Sequence, residues 1–154
     1  MKEIDEILYL QQILIKILNK RLIDKFNTKL YQHSINHNKL SITAGKNHSA
    51  FNKSYNKCDQ LELSSFLRYV QAACILTNTD FFKGPFSLES LLKDDLKLLN
   101  LICNIKDYNL YNIEEEDIIF LRHFKYEIES LYKLKKVSND EYLVFNKFIN
   151  RGWI

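Results

Sequence analysis

Apolar residues recur at helical spacing over most of the chain. Ile4, Ile7, Leu8, Leu14, Ile15, Leu18, Leu22, Phe26 and Leu30 follow the i, i+3, i+4 rhythm of one helix over residues 3–32. Leu10, Ile13 and Ile17 widen its apolar face beyond a single stripe. A helix that is apolar over most of its girth is covered on several sides, by its own fold or by another chain. Its second half carries Lys16, Lys20, Arg21, Lys25 and Lys29, which suits the negative end of a helix dipole.

Four further helices are expected. One runs 60–78, capped by Asp59 with Glu62 as the return partner of a capping box, and Leu63, Phe66, Leu67, Val70, Cys74 and Thr77 form its stripe. Gly84-Pro85 ends that pattern. Ser87 starts the next, to about residue 105, with Leu88, Leu91, Leu92, Leu99 and Ile102 inward. Asn112 with Glu115 opens a fourth, with Ile118, Leu121, Phe124, Ile128 and Leu131 inward. The acids Glu114, Glu115, Glu116 and Asp117 complement its positive end; four consecutive side chains fan around a helix and cannot converge on one metal. Ser138 with Glu141 opens a short fifth helix bearing Tyr142, Phe145, Phe148 and Ile149.

Residues 33–57 break the rhythm. Five Asn, four Ser, three His and four Lys occur there, with no acid. The pattern predicts a long, basic, Asn/Ser/His-rich loop between the first and second helices, which need not be ordered. The expectation is therefore an all-α fold, a single-domain bundle of about five helices spanning 1–154. Composition agrees: 3 Gly and 1 Pro in 154 residues are too few for a turn-rich β fold. A hydrophobic content of 46% is enough for a packed core and argues against wholesale disorder.

Three widely spaced cysteines and no CxxC read as reduced thiols. The apolar stretch Ile7–Ile15 follows acidic residues, lacks a cleavage site and is too short for a membrane span. An intracellular protein without membrane insertion is the expectation.

Chemistry is sparse. No phosphate-binding glycine loop, nucleophile elbow or HExxH motif occurs, and the Gly45-Lys46 pair lacks the upstream glycines of a nucleotide loop. His33, His37, His48 and Cys58 are the weak metal candidates: His33 and His37 lie four apart, as one helical face would need, but the other spacings fit no zinc module. Cys74 and Cys103 read as inert thiols near apolar faces, and His123 is the residue most apt for an unrecognised catalytic site. No cofactor is expected, and an enzyme is less favoured than a binding protein.

Two features point to binding. The first 57 residues hold ten basic and four acidic side chains, whereas the rest is net acidic. Lys39, Lys46, Lys53 and Lys57 interleave with Phe51 and Tyr55, a pattern of cations beside stacking rings that suits nucleic acid or an acidic partner. Apolar excess is the second: Phe145, Phe148, Trp153 and Ile154 crowd the C-terminus as partner-binding candidates. The leading expectation is a non-enzymatic interaction module, a subunit or adaptor that meets a protein partner or its own copy. Nucleic-acid binding through 33–57 is the alternative, and a small enzyme the third.

Overall fold

The computed structural model describes residues 3–105 and 114–150. Among these residues the chain is helical and contains no strand. The elements are α1 (Glu3–Gln32), α2 (His37–Thr43), α3 (Ala50–Asn56), α4 (Leu63–Thr77), α5 (Leu88–Leu92), a 3₁₀ turn (Lys93–Asp95), α6 (Leu96–Asn104), α7 (Glu115–Arg122), α8 (Lys125–Lys133) and α9 (Asn139–Ile149). The all-α class holds, but the expected five helices are exceeded because three segments divide. The 3₁₀ turn interrupts the helix expected from Ser87, the chain breaks at His123-Phe124 between α7 and α8, and 33–57 holds α2 and α3 rather than one loop. The expected start at Asn112 and the candidates Trp153 and Ile154 lie outside the described residues.

Contacts divide the chain into two compact units: one spans Asn19–Leu96, and the other joins α1 up to Leu18 with the chain from Lys97. The Asn19–Leu96 unit is organised around Phe26, fully buried on the second half of α1. Its ring meets Phe51, Phe66 and Phe86 edge-on, at centroid distances of 5.9, 5.8 and 5.7 Å. Edge-to-face pairs add about 0.5–1.5 kcal/mol each beyond burial. Ile23, Leu30, Ile35, Leu40, Tyr69, Val70, Ala73 and Leu91 complete this core.

Periodicity cannot reveal helices as short as α2 and α3, because each buries only one large apolar anchor, Leu40 and Phe51. Polar side chains define their ends instead. Asn36 Oδ1 accepts the Lys39 amide at 2.7 Å, the cap of α2. The buried Ser41 Oγ accepts the Phe51 amide at 3.1 Å, satisfying an orphan donor at the start of α3 from outside that helix. The expected cap is displaced: α4 starts after Glu62, three residues beyond Asp59, and Glu62 makes no side-chain cap. Asn19 fixes its approach, donating to the Leu61 carbonyl at 3.0 Å and accepting the Leu61 amide at 3.3 Å.

In the other unit Leu10, Ile13, Leu14 and Ile17 of α1 are fully buried, as are Leu98, Ile128 and Phe145. Leu10, Ile13 and Ile17, which widen the apolar face of α1, are thus consumed within the fold, while Leu8 and Ile15 stay exposed. Ser138 and Glu141 form the expected capping box at α9. Glu141 is also buried, and Lys16 Nζ donates to its Oε1 at 2.8 Å and to the Lys136 carbonyl at 3.0 Å. Burial pushes the Glu141 carboxyl up, but the Lys16 ammonium and the Ser138 amide and hydroxyl outweigh it and hold the group below its ordinary value.

Candidate interaction surface

The sequence-predicted binding residues divide sharply. Phe51 is fully buried and packs edge-on to Tyr69 at 5.0 Å, so it offers no face to a base. Tyr55 is half-buried, stacked on Phe51. Lys46 is half-buried, donates to Ser65 Oγ at 3.1 Å and sits 5.6 Å from the Tyr69 ring centre. Lys39, Lys53 and Lys57 are exposed. Lys39, Lys53 and Lys57 therefore survive as surface charge, but of the two rings expected to stack beside them Phe51 is core and Tyr55 half-buried.

The metal candidates do not assemble. Ser34, left-handed at φ +59°, separates His33 from α2, so His33 and His37 share no helical turn. His37 is held by amides instead: Nε2 lies 2.6 Å from Asn27 Oδ1, and Nδ1 lies 2.9 Å from Asn52 Oδ1. His48 is exposed, and no group of three or more His, Cys, Asp or Glu among the described residues is placed to hold a metal ion. His123 is exposed at the α7–α8 break, its Nδ1 3.2 Å from the Phe120 carbonyl oxygen. Phe145 and Phe148, offered as partner contacts, lie in the core because α9 turns the face bearing them inward.

Large apolar side chains are exposed on several elements of the described residues, Ile42, Leu96, Ile119 and Leu143 among them, and on α4 they fall in one row beside a groove. One face of α4 packs inward through Phe66, Tyr69, Val70 and Ala73. The opposite face should be polar. Yet Leu63 is 71%, Leu67 37% and Ile75 62% exposed, with Gln71 between them in the same four-residue row. Leu63 and Leu67, expected in the stripe, thus point outward. Both sets fit a helical period, and Phe66, with its ring against Phe26, wins the interior.

A second wall rises where α4 ends. Asn78 takes the left-handed conformation at φ +52°. The Thr79 amide donates to the Cys74 carbonyl at 3.0 Å and the Asn78 amide to the Ile75 carbonyl at 3.3 Å, the paired bonds of a Schellman end. Asp80 Oδ1 then accepts the Phe82 amide at 2.9 Å, and the Asp80 carbonyl accepts the Gly84 amide at 2.7 Å. These bonds fold the chain back beside α4. The result is an open groove of about 690 Å³ lined by Leu67, Arg68, Gln71, Ile75, Asp80 and Phe81, among others. Phe82, 76% exposed, packs edge-on to Phe81 at 5.5 Å and extends the apolar wall.

The groove is poor in reactive chemistry. Its one thiol, Cys74, is buried; burial pushes the thiol up and Asp80 adds to this, against a hydrogen bond with Thr79. Arg68 and Asp80 supply one charge of each sign. Shape, apolar area and balanced charge can hold another surface; nothing there activates a nucleophile. No family model matches this chain, and it has no match among curated proteins or solved structures.

No helix among the described residues is long and apolar enough to cross a membrane.

Proposed function

We propose that this chain is a non-enzymatic protein-interaction module, a subunit or adaptor that docks a partner on the outer face of α4 and the Phe81–Phe82 wall. One observation carries the reading: a regular helix presents Leu63, Leu67 and Ile75 to solvent while its other face is already buried. Large side chains exposed in a row forgo roughly 25 cal/mol for each Å² of apolar surface left in water. Scattered apolar residues need no explanation, whereas a contiguous patch rimmed by polar groups marks an interaction site. The wall beside it is hydrogen-bonded through Asn78, Asp80 and Gly84, so the groove is preformed and little ordering entropy opposes binding.

The test is cross-linking with mass spectrometry on the full chain, alone and with candidate partners, beside an Ile75→Lys variant. Association that maps to α4, persists at high salt and is lost in the variant supports the reading. A protein whose only associations are with RNA and vanish with salt would overturn it in favour of phosphate contacts by Lys39, Lys53 and Lys57.

A further inference from the structure

The outer row of α4 has a symmetry that selects its occupant. Leu67 and Ile75 stand four residues either side of Gln71, and all three line the groove. We infer that this face pairs with the same face of a second copy of the chain, the two α4 helices running antiparallel with Gln71 on the two-fold axis. The inference rests on the interaction reading above and adds the identity of the partner.

Three observations support it. First, antiparallel pairing about Gln71 sets Leu67 of each copy against Ile75 of the other, and sends Leu63 toward Phe81 and Phe82 beyond the opposite helix end. Second, the residue on the axis must pair with its own image. A glutamine amide carries both donor and acceptor, so two of them satisfy each other, which a cation or a carboxylate could not do.

Third, charge and area both fit. Arg68 lies on the N-terminal side of Gln71 and Asp80 beyond the C-terminal end of α4. The two-fold brings each arginine toward the other copy's aspartate. A groove with one charge of each sign matches itself better than it matches an acidic or a basic peptide. At roughly 200 Å² per large side chain, the exposed portions of Leu63, Leu67, Ile75, Phe81 and Phe82 amount to on the order of 500 Å² per copy. With a polar rim this approaches the ~800 Å² per partner of a standard interface, at the apolar fraction of homodimers.

Sedimentation equilibrium of the full chain up to about 200 µM, with matched variants, tests the pairing. The wild type is expected to dimerise; Leu67→Lys should weaken dimerisation by about 100-fold or more and Arg68→Glu by about 10-fold, with the helical circular dichroism unchanged. Gln71→Cys should oxidise to a linked dimer. Axes 8–10 Å apart, less two helix radii of about 2.3 Å, leave the facing Cα atoms roughly 3.4–5.4 Å apart, and an axis separation above about 9 Å brings them within disulfide reach under an added thiol oxidant. A wild type that stays monomeric, or a dimer indifferent to Leu67→Lys, would overturn the pairing. A monomer that loses a different protein partner on Leu67→Lys overturns the self-pairing but leaves the interaction reading intact. A monomer whose groove variants lose no partner of any kind sinks both.

Discussion

Phe51 decides whether residues 33–57 are a core-forming segment or a nucleic-acid loop, and Phe51→Ala measures the answer directly. The ring is fully buried and touches four others: Phe26 at 5.9 Å, His37 at 4.8 Å, Tyr55 at 6.1 Å and Tyr69 at 5.0 Å. Truncating a buried phenylalanine costs about 3–5 kcal/mol in transfer and cavity terms. The loss of several edge-on partners puts this site in the upper half of that range, about 4 kcal/mol. For a urea m-value of about 2 kcal/mol per M the midpoint should fall by roughly 2 M. Since whole domains are stable by only about 5–15 kcal/mol, the variant sits near unfolding, and Phe51→Leu, at about 1.5 kcal/mol, gives a second point on the same scale.

Lys53→Ala, two residues on and exposed, should change the unfolding free energy by no more than about 0.5 kcal/mol, a midpoint shift of about 0.25 M. The assay is urea unfolding followed by circular dichroism, with RNA binding titrated in parallel. A stacking residue would behave the opposite way: little change in stability and a loss of about 1–3 kcal/mol in RNA affinity. Phe51→Ala unfolding alongside wild type while RNA affinity collapses would refute the core assignment and restore the nucleic-acid reading.

Other outcomes follow from the same geometry. Glu141 has a carboxyl held below its ordinary value, so its stabilisation is complete above the unfolded-state pKa of roughly 4.3 and disappears as pH falls through the folded-state value. Glu141→Gln should therefore be less stable than wild type at pH 7 by about 1–3 kcal/mol, a range kept low because Lys16 is partly solvated, and unfolding curves at descending pH should show the gap closing below about pH 4. Ser138→Ala removes the side-chain cap of α9 and should cost about 1 kcal/mol in thermal or urea unfolding. Asn78→Gly should be tolerated, whereas Asn78→Val forces a β-branched residue to φ +52° and should cost about 1–2 kcal/mol, checked by the same unfolding assay. Under timed alkylation of the native protein, the exposed Cys103 should label first and the buried Cys74 last, mapped by peptide mass spectrometry.

Capping chemistry and periodicity made part of this fold legible in the sequence. Ser87 and Ser138 start helices where a hydroxyl precedes an apolar run, and the acids 115–117 do occupy the first turn of α7. The signals that failed were local ones overruled by distant partners. Asp59 and Glu62 spell a capping box, yet α4 begins after them because the Asn19 side chain holds Leu61 from 42 residues away. Similarly, α2 and α3 look like loop because their polar surfaces outnumber their anchors. Their stability comes from the local Asn36 cap, from Ser41 reaching the Phe51 amide ten residues on, and from Phe26 of α1, whose ring receives Phe51 and lies outside any window of neighbouring residues. For the same reason a sequence reading takes Phe51 for a surface ring: it stands among lysines in the chain and among aromatic rings in space.

The candidate site has a stricter reason for escaping notice. Along α4 two apolar rows satisfy the helical period, Phe66-Val70-Ala73 and Leu63-Leu67-Ile75. Periodicity establishes a helix but leaves its rotation about the axis open, since either row can face inward. The choice belongs to the cavity the rest of the unit presents. The ring of Phe26 is already flanked by Phe51 and Phe86, and the remaining space accepts an aromatic edge, which Phe66 supplies and a leucine does not. Once Phe66 is seated, Ile75 lies on the far side of the helix and Leu67 on its flank, while Leu63 is exposed in the first turn. It follows that the outer row is not required for folding of this unit. Replacing Leu63 and Ile75 together by lysine should leave the unfolding free energy within about 1 kcal/mol of wild type, because large losses come from buried sites. A loss of about 3 kcal/mol or more in urea unfolding would mean that these side chains are covered in the monomer, and the interaction surface would have to be sought elsewhere.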